Sequence, residues 1–255
     1  MDLHRISIGL PGATAHESVL ELAPRIEAAG FRGLWLNDTP GGDSLAGLEV
    51  AAAATTTLAL GTGVIPLDRR PASEIAARLG GLPGDRLTIG IGSGGPGQAL
   101  ARVSDAIDTL RPLAPVLVGA LGPRMRRLAA ERADGVLLNW LTPATAAGAM
   151  DDLRRDAAGR PVRGVLYART IVAPEALPAL AAEAAGYQSS GSYAANFERL
   201  GIRAIEATID GSAPGALAAR IGEYLESVDE LVLRVVTGST TLASYLRFIE
   251  AVVAA

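Results

Sequence analysis

Residues 116–135 read VLVGALGPRMRRLAAERADG, and the chain continues directly into VLLN at 136–139. The first four residues form an apolar run of strand length, too short for a helix. Gly119-Ala120-Leu121-Gly122 is then a loop with almost no side chains, and Pro123 suits a first helical turn, where a missing N–H costs little. The stretch Pro123–Ala133 reads as a helix, and Gly135–Asn139 is apolar again. Strand, bare loop, helix and strand make the repeating unit of a parallel sheet. The bare loop also has a chemical reading, because unpaired N–H groups and the positive end of a helix dipole receive an anion such as phosphate. Arg124 is placed to add a bidentate contact to that anion, whereas Arg126 and Arg127 are expected to face solvent. The alternative is an ordinary loop followed by a solvated basic helix.

Working outward, the same unit recurs. Strands are expected at Arg5–Leu10, Gly33–Asp38, Leu58–Ile65, Arg86–Gly92, Val116–Gly119, Gly135–Asn139, Val162–Ala168 and Glu230–Val236. Their near-continuous apolar character fits strands covered on both faces. The clearest helix is SVLELAPRIEAAGF, with Val19, Leu22, Ala23, Ile26 and Ala29 on one stripe and Gly30 as a C-terminal cap. Others are read at Leu45–Thr57, Pro71–Leu79, Thr142–Ala157, Pro214–Glu226 and Thr241–Val253. Eight strands alternating with helices predict an α/β fold: a single (β/α)8 TIM barrel over residues 1–255, with an open doubly wound sheet as the alternative. Pro174–Asp210 breaks the rhythm. It holds two apolar helical patterns around GYQSSGSY, and predicts a helical excursion between strands seven and eight, acting as a lid or a subunit contact.

Composition narrows the chemistry. The chain has 255 residues and a net charge of −4, with acids and bases interspersed, which argues against a nucleic-acid partner. No apolar run reaches the roughly 18 residues of a membrane span, and the opening MDLHRISIGL lacks the features of a signal peptide, so a cytoplasmic location is expected. There is no cysteine and no lysine. Disulfides, thiolate chemistry, Schiff bases and a P-loop lysine are thereby excluded. The histidines, His4 and His16, form no metal cluster, and no metal site is expected. A chain so poor in reactive side chains needs a cofactor to carry any redox chemistry. Its arginine-only, alanine-rich composition points to a GC-rich genome.

In a barrel of this kind chemistry sits where strands run into the following helices. That rule selects Asn37-Asp38-Thr39, then Gly61-Thr62-Gly63-Val64, Gly90-Ile91-Gly92-Ser93, Gly119–Gly122, Asn139-Trp140, Tyr167, Arg169 and Arg234. Glycine gathers at three of these ends, which predicts a backbone shelf for a flat ligand. Asp38 either contacts a ligand or caps its own turn. Arg69 and Arg70 screen an anion or are merely solvated. Trp35 reads as core, and Trp140 as either a stacking or a packing group. An arginine inside an apolar strand needs an anionic partner or a wet cavity, so Arg234 reads as a site residue in preference to a structural ion pair.

The segments GFRGLWLNDT, TTTLALGTGVIPL, GDRLTIGIGSG, PVLVGALGPRMRRLAAERADGVLLNWLTP and DELVLRVV follow in an order that resembles the bacterial luciferase-like monooxygenase superfamily. That superfamily includes flavin-dependent monooxygenases and oxidoreductases using the deazaflavin coenzyme F420. The resemblance spans nearly the whole chain, including AAGYQSSGSYAANFERLG in the excursion. It implies a (β/α)8 barrel with the cofactor ring over the strand C-termini, a non-prolyl cis peptide at Gly63-Val64 against the ring, a phosphate loop at Gly119–Gly122, an Asp38 contact to ring or tail, and a homodimer. Two positions depart from the pattern: Thr39 stands where many members carry a histidine, and Gly95 where some deazaflavin dehydrogenases carry a glutamate. The segment between Gly95 and Pro115 is also short.

The expectation is therefore a hydride-transferring oxidoreductase or monooxygenase acting on a small organic molecule. Gly119, Ala120, Leu121, Gly122 and Arg124 hold the phosphate. Gly63 and Val64 back the ring, while Asp38, Ser93 and Asn139 make polar contacts. Thr39, Asp38 and Tyr193 handle protons, and Tyr187 and Arg234 face the substrate. Coenzyme F420 is preferred to FMN, because the composition leans to a GC-rich source and exposed arginines welcome an anionic tail. The alternatives are a flavin-binding protein without turnover and a barrel that has lost its cofactor.

Overall fold

The computed structural model describes residues 1–95 and 97–255. Its strands are β1 (Ile6–Pro11), β2 (Gly33–Asn37), β3 (Ala59–Thr62), β4 (Ile65–Pro66), β5 (Leu87–Gly92), β6 (Val116–Gly119), β7 (Gly135–Asn139), β8 (Arg163–Ile171), β9 (Ile209–Asp210) and β10 (Glu230–Val235). All pairings are parallel, and β10 bonds to both β1 and β8, which closes the sheet. The closed path uses eight strands, with β4 continuing the line of β3 beside β5 and β9 attached to the far end of β8. This is the (β/α)8 barrel, and closure excludes the open sheet.

The flanking helices are α1 (His16–Ala28), α2 (Ser44–Ala54), α3 (Ala72–Leu79), α4 (Ala99–Leu110), α5 (Pro123–Arg132), α6 (Pro143–Asp156), α7 (Leu177–Gln188), α8 (Gly191–Leu200), α9 (Ala216–Leu225) and α10 (Leu242–Ala254). Outward residues such as Ile6, Ile8 and Leu10 pack with the stripe Val19, Leu22 and Ile26. Two readings change. The single strand expected over Leu58–Ile65 is two short ones, because the chain breaks from the ladder at Gly63-Val64, whose peptide bond is cis. Helix α4, not singled out in the sequence, buries Val103, Ala106, Ile107 and Leu110, a clean one-face pattern. The expected excursion is present as α7 and α8, and the chain rejoins the sheet at β9.

Alternate residues of each strand point inward, and they form three tiers. At the floor, Glu230 is 1% exposed. Its Oε1 accepts bonds from Ser7 Oγ (2.5 Å) and Trp35 Nε1 (2.7 Å). Its Oε2 lies 2.8 Å from Arg32 Nε and also meets the Arg163 guanidinium. Above is an apolar plug of Trp35, Leu117, Leu137, Val165, Tyr167 and Val232, with Val64 against it. Two residues further along the same strands come Asn37, Asn139, Arg169 and Arg234, so the upper tier is polar and cationic.

Candidate active site at the barrel mouth

The two ends of the barrel differ in how completely their polar groups are satisfied. Among the described residues, the buried side-chain atoms without a partner are Thr14 Oγ1, Asn37 Oδ1, Arg126 Nε, Trp140 Nε1, Tyr167 OH and Asn196 Nδ2. All belong to strands, loops or helix starts at the C-terminal end, or to the excursion beside it. A buried polar atom left unpaired costs about 1–3 kcal/mol. The floor spends every bonding position of Glu230, whereas the mouth leaves positions for a ligand to take.

The loop after β6 has the local structure its sequence predicts. Gly122 is the N-cap of α5 with extended backbone and no side-chain cap, and Pro123 occupies the first turn. The first-turn N–H groups have no partner within the helix. Nothing stands within 4 Å of where a Gly122 Cβ would be, so space is open there. The arginines differ from expectation. Arg127 is exposed and pairs with Asp156 at 3.5 Å, but Arg126 does not face solvent: it is 5% exposed. Its guanidinium folds back under the loop, donating to the Leu121 carbonyl at 2.9 Å, with Asp152 at 3.7 Å. Arg199 of α8 donates to the same carbonyl at 3.4 Å. Burial, reinforced by Arg199, lowers the Arg126 pKa. Arg124 is exposed and lines a groove with Leu100, Arg127 and Leu128 between α4 and α5.

Asp38 follows β2 and is buried. Its N–H donates to the Val64 carbonyl (3.3 Å), which ties it to the cis-peptide segment. Arg69 bonds its carbonyl oxygen and lies 3.4 Å from Oδ1, Arg70 is 4.0 Å from Oδ2, and Ser44 Oγ donates at 3.4 Å. Burial raises the Asp38 pKa, against the pull of Arg70 and Arg69. The arginine pair is therefore neither free nor simply solvated. Thr39 is half-buried, and its carbonyl accepts from Gly42 N–H at 2.9 Å. Ser93 follows β5, two strands along the sheet from β2, with its carbonyl taken by Arg102 at 2.6 Å.

A third group joins the barrel to the excursion. Arg169 pairs with Glu183 of α7 at 2.9 Å, donates to Asn139 Oδ1, and lies over the Trp140 and Tyr187 rings at 4.1 and 4.9 Å. Tyr187 meets Tyr193 edge-on at 4.7 Å between centroids. Burial, with Tyr187 adding to it, raises the Tyr193 pKa, while Arg169 and Asn139 oppose the shift. Trp140 is fully buried against Phe197, Ala184 and Ala207, which decides for packing. Arg234 is the register neighbour of Arg169.

The structure thus collects Asp38, Thr39, Gly63 and Val64 in one cluster, Asn139, Tyr187 and Tyr193 in a second, and Gly119–Gly122 in a third. The bare-backbone shelf is corrected. A Cβ at Gly61 would strike the Trp35 indole and one at Gly63 the Tyr167 hydroxyl, while those at Gly92 and Gly119 would lie 2.8 and 3.0 Å from Val64. These glycines admit the chain's own side chains, and the exposed surface there is Val64. Arg126, Arg199 and Glu183 are not among the site residues the sequence suggests, and Arg169, which the strand-end rule selects, is given no role there. The rule applied to Arg234, a cation inside an apolar strand, also selects Arg169.

A family model described as luciferase-like monooxygenase matches residues 1–113 and 97–241. The chain belongs to the luciferase-like monooxygenase family. Solved structures agree in fold with this luciferase-like chain. An F420-dependent secondary alcohol dehydrogenase, in complex with an F420-acetone adduct, superposes with a TM-score of 0.74 at 16% identity, covering 97% of this chain and 98% of that one. The coenzyme F420 dependent tetrahydromethanopterin reductase from Methanopyrus kandleri gives 0.71 at 18% identity, covering 98% and 97%. The monooxygenase RslO1 from Streptomyces bottropensis gives 0.72 at 16%, covering 98% of each chain. No helix of the luciferase-like chain, among the described residues, is long and apolar enough to cross a membrane.

Proposed function

We propose that this luciferase-like chain is an oxidoreductase that exchanges hydride between a flavin-type cofactor, coenzyme F420 in preference to FMN, and a small organic substrate under the 174–210 excursion. The observation that carries the reading is the uncapped start of α5, open in front of Gly122 and flanked by Arg126 and Arg199, at the end of the barrel that holds the unpaired polar atoms. These residues fit an anionic, flat group. Bound there, the cofactor supplies two-electron chemistry that no side chain of this chain offers.

The chain's own residues bind, orient and move protons. The N–H groups after Gly119-Ala120-Leu121-Gly122 receive the phosphate, with Arg124 at the outer edge and Arg126 bracing the Leu121 carbonyl from behind. Gly63 and Val64 present an apolar face, supported from below by Gly92 and Gly119. Asp38, Thr39, Ser93 and Asn139 offer polar contacts around it. Tyr193, kept protonated by burial, is the proton donor on the excursion side, with Asp38 and Thr39 opposite. Exposed Arg124 and Arg127 favour a cofactor with a long anionic tail. The reading includes a homodimer, as the resemblance implies, which light scattering checks.

A second reading, a binder without turnover, is favoured by one observation: Asp38 is already engaged by Arg69, Arg70 and Ser44. Titration of the full chain with FMN and with oxidised and reduced F420, followed by a substrate panel read by absorbance, separates the readings. Micromolar binding with substrate-dependent change supports the enzyme, and binding without change the second reading. Binding of neither cofactor refutes both.

A further inference from the structure

Arg169 and Arg234 occupy adjacent register positions on β8 and β10, both in the upper interior tier. Two guanidinium groups there share one nearby carboxylate. Glu183 is committed to Arg169 at 2.9 Å, and Arg169 is further held by Asn139 and by the rings of Trp140 and Tyr187. Arg234 has no carboxylate within ion-pair distance among the described residues, and its one side-chain bond goes to the carbonyl of the next residue, Val235. One tier below, the Tyr167 hydroxyl is buried without a partner, but it lies against Gly63 within the plug and serves no ligand at Arg234. A half-buried cation whose nearest carboxylate is committed to its neighbour is costly unless something anionic arrives.

The cofactor's anionic end does not answer this need. Its loop follows β6, and the closed path from β6 to β10 runs through β7 and β8, so the two cationic sites lie on different sides of the mouth. The loop's charge is met by α5, Arg126 and Arg199. Arg234 stands apart, beside the excursion that covers the substrate.

We propose that the substrate of this chain carries an oxyanion, a carboxylate or a phosphate, that pairs with Arg234. The assignment rests on the oxidoreductase reading for the word substrate, but the anion site stands on its own geometry. Neutral ketones and alcohols of the same shape lack the group that Arg234 requires, so the activity discriminates against them.

The test uses the purified full chain without cofactor. Benzoate, pyruvate and inorganic phosphate are titrated by ligand-observed NMR beside the neutral isosteres benzamide and acetone. Saturable binding of benzoate or pyruvate without benzamide or acetone supports a carboxylate. Saturable phosphate binding that Arg234→Gln weakens supports a phosphoryl substrate. The loss with Arg234→Gln is about tenfold to a hundredfold, as for one charged hydrogen-bonding partner, and Arg234→Lys recovers part of it. Equal binding of benzoate and benzamide, no saturable anion binding, or unchanged anion affinity in a folded Arg234→Gln protein overturns the proposal. A parallel titration with FMN and F420 separates the two readings. Failure of the parent chain to bind either cofactor sinks the oxidoreductase assignment while leaving the anion result standing. Loss of cofactor binding in Arg234→Gln alone hands Arg234 to the cofactor and overturns the substrate assignment.

Discussion

Replacing Glu230 by glutamine removes a single charge from the barrel floor while keeping its volume. Ser7 Oγ and Trp35 Nε1, at 2.5 and 2.7 Å, still find an amide oxygen. Arg32 and Arg163 lose their counter-charge and meet an NH2 group at Oε2's place. Deleting one partner of a buried ion pair costs about 3–5 kcal/mol, because the remaining charge stays desolvated. The side chains of Arg32 and Arg163 are 41% and 27% exposed, so water softens the loss and the lower end applies. Burial, with Arg32 adding to it, holds the Arg163 pKa down to about 10. A cost of about 3 kcal/mol is a large share of the roughly 5–15 kcal/mol that keeps a domain folded. At about 2–4 °C per kcal/mol for a chain of this size, the melting midpoint falls by about 6–12 °C. Thermal unfolding followed by circular dichroism measures it. The floor lies opposite the mouth, so cofactor affinity of the folded variant stays unchanged. A midpoint within about 2 °C of the parent, on the same scale, refutes a floor held by that carboxylate.

Arg124→Ala weakens cofactor binding by about 1–3 kcal/mol if the exposed guanidinium reaches the phosphate, and Arg126→Gln does so by loosening the Leu121 carbonyl; titration of the two beside the parent ranks them, and unchanged affinity in both removes the loop from the site. Asp43 makes the folded chain acid-sensitive: burial alone would raise its pKa, but bonds from Arg70, the Ala46 N–H and Arg78 outweigh this and hold it well below the carboxylate range. The contribution of a depressed carboxylate is complete above its unfolded value near pH 4 and fades as pH falls below it, so Asp43→Asn lowers stability at neutral pH and flattens the acid limb of a melting-point profile; parallel profiles contradict this. Tyr193→Phe slows turnover while leaving cofactor affinity within about twofold, since only the proton donor is lost, and equal kcat with and without the hydroxyl removes Tyr193 from proton transfer.

The alternation of strands and helices was readable because each apolar run and each helical stripe is local. The Gly122-Pro123 start of α5 was readable for the same reason. The Glu230 floor was not, because the carboxylate and its Ser7 partner lie 223 residues apart in sequence and meet only when the sheet closes. Arg126 was misplaced because consecutive helical positions do diverge, but which one turns inward depends on Asp152 of α6 and on the Leu121 carbonyl. The strand-end glycines resemble a surface for a ligand in sequence, but Trp35 and Tyr167 from other strands and Val64 from the β3–β4 break fill the space beside them. The excursion announced itself as a break in rhythm, yet its clasp on Arg169 through Glu183 depends on tertiary approach.

One carbonyl oxygen, that of Leu121, is grasped from behind by the helix that follows it and from above by Arg199 of the excursion. The roof and the proposed anion seat are thus fastened by a common rivet. Swinging the roof away frees that oxygen and slackens the seat, and filling the seat stiffens the roof. If the loop holds phosphate as proposed, a roof transplanted from another barrel without an arginine at this place brings with it a looser grip, although no residue of the seat itself has changed.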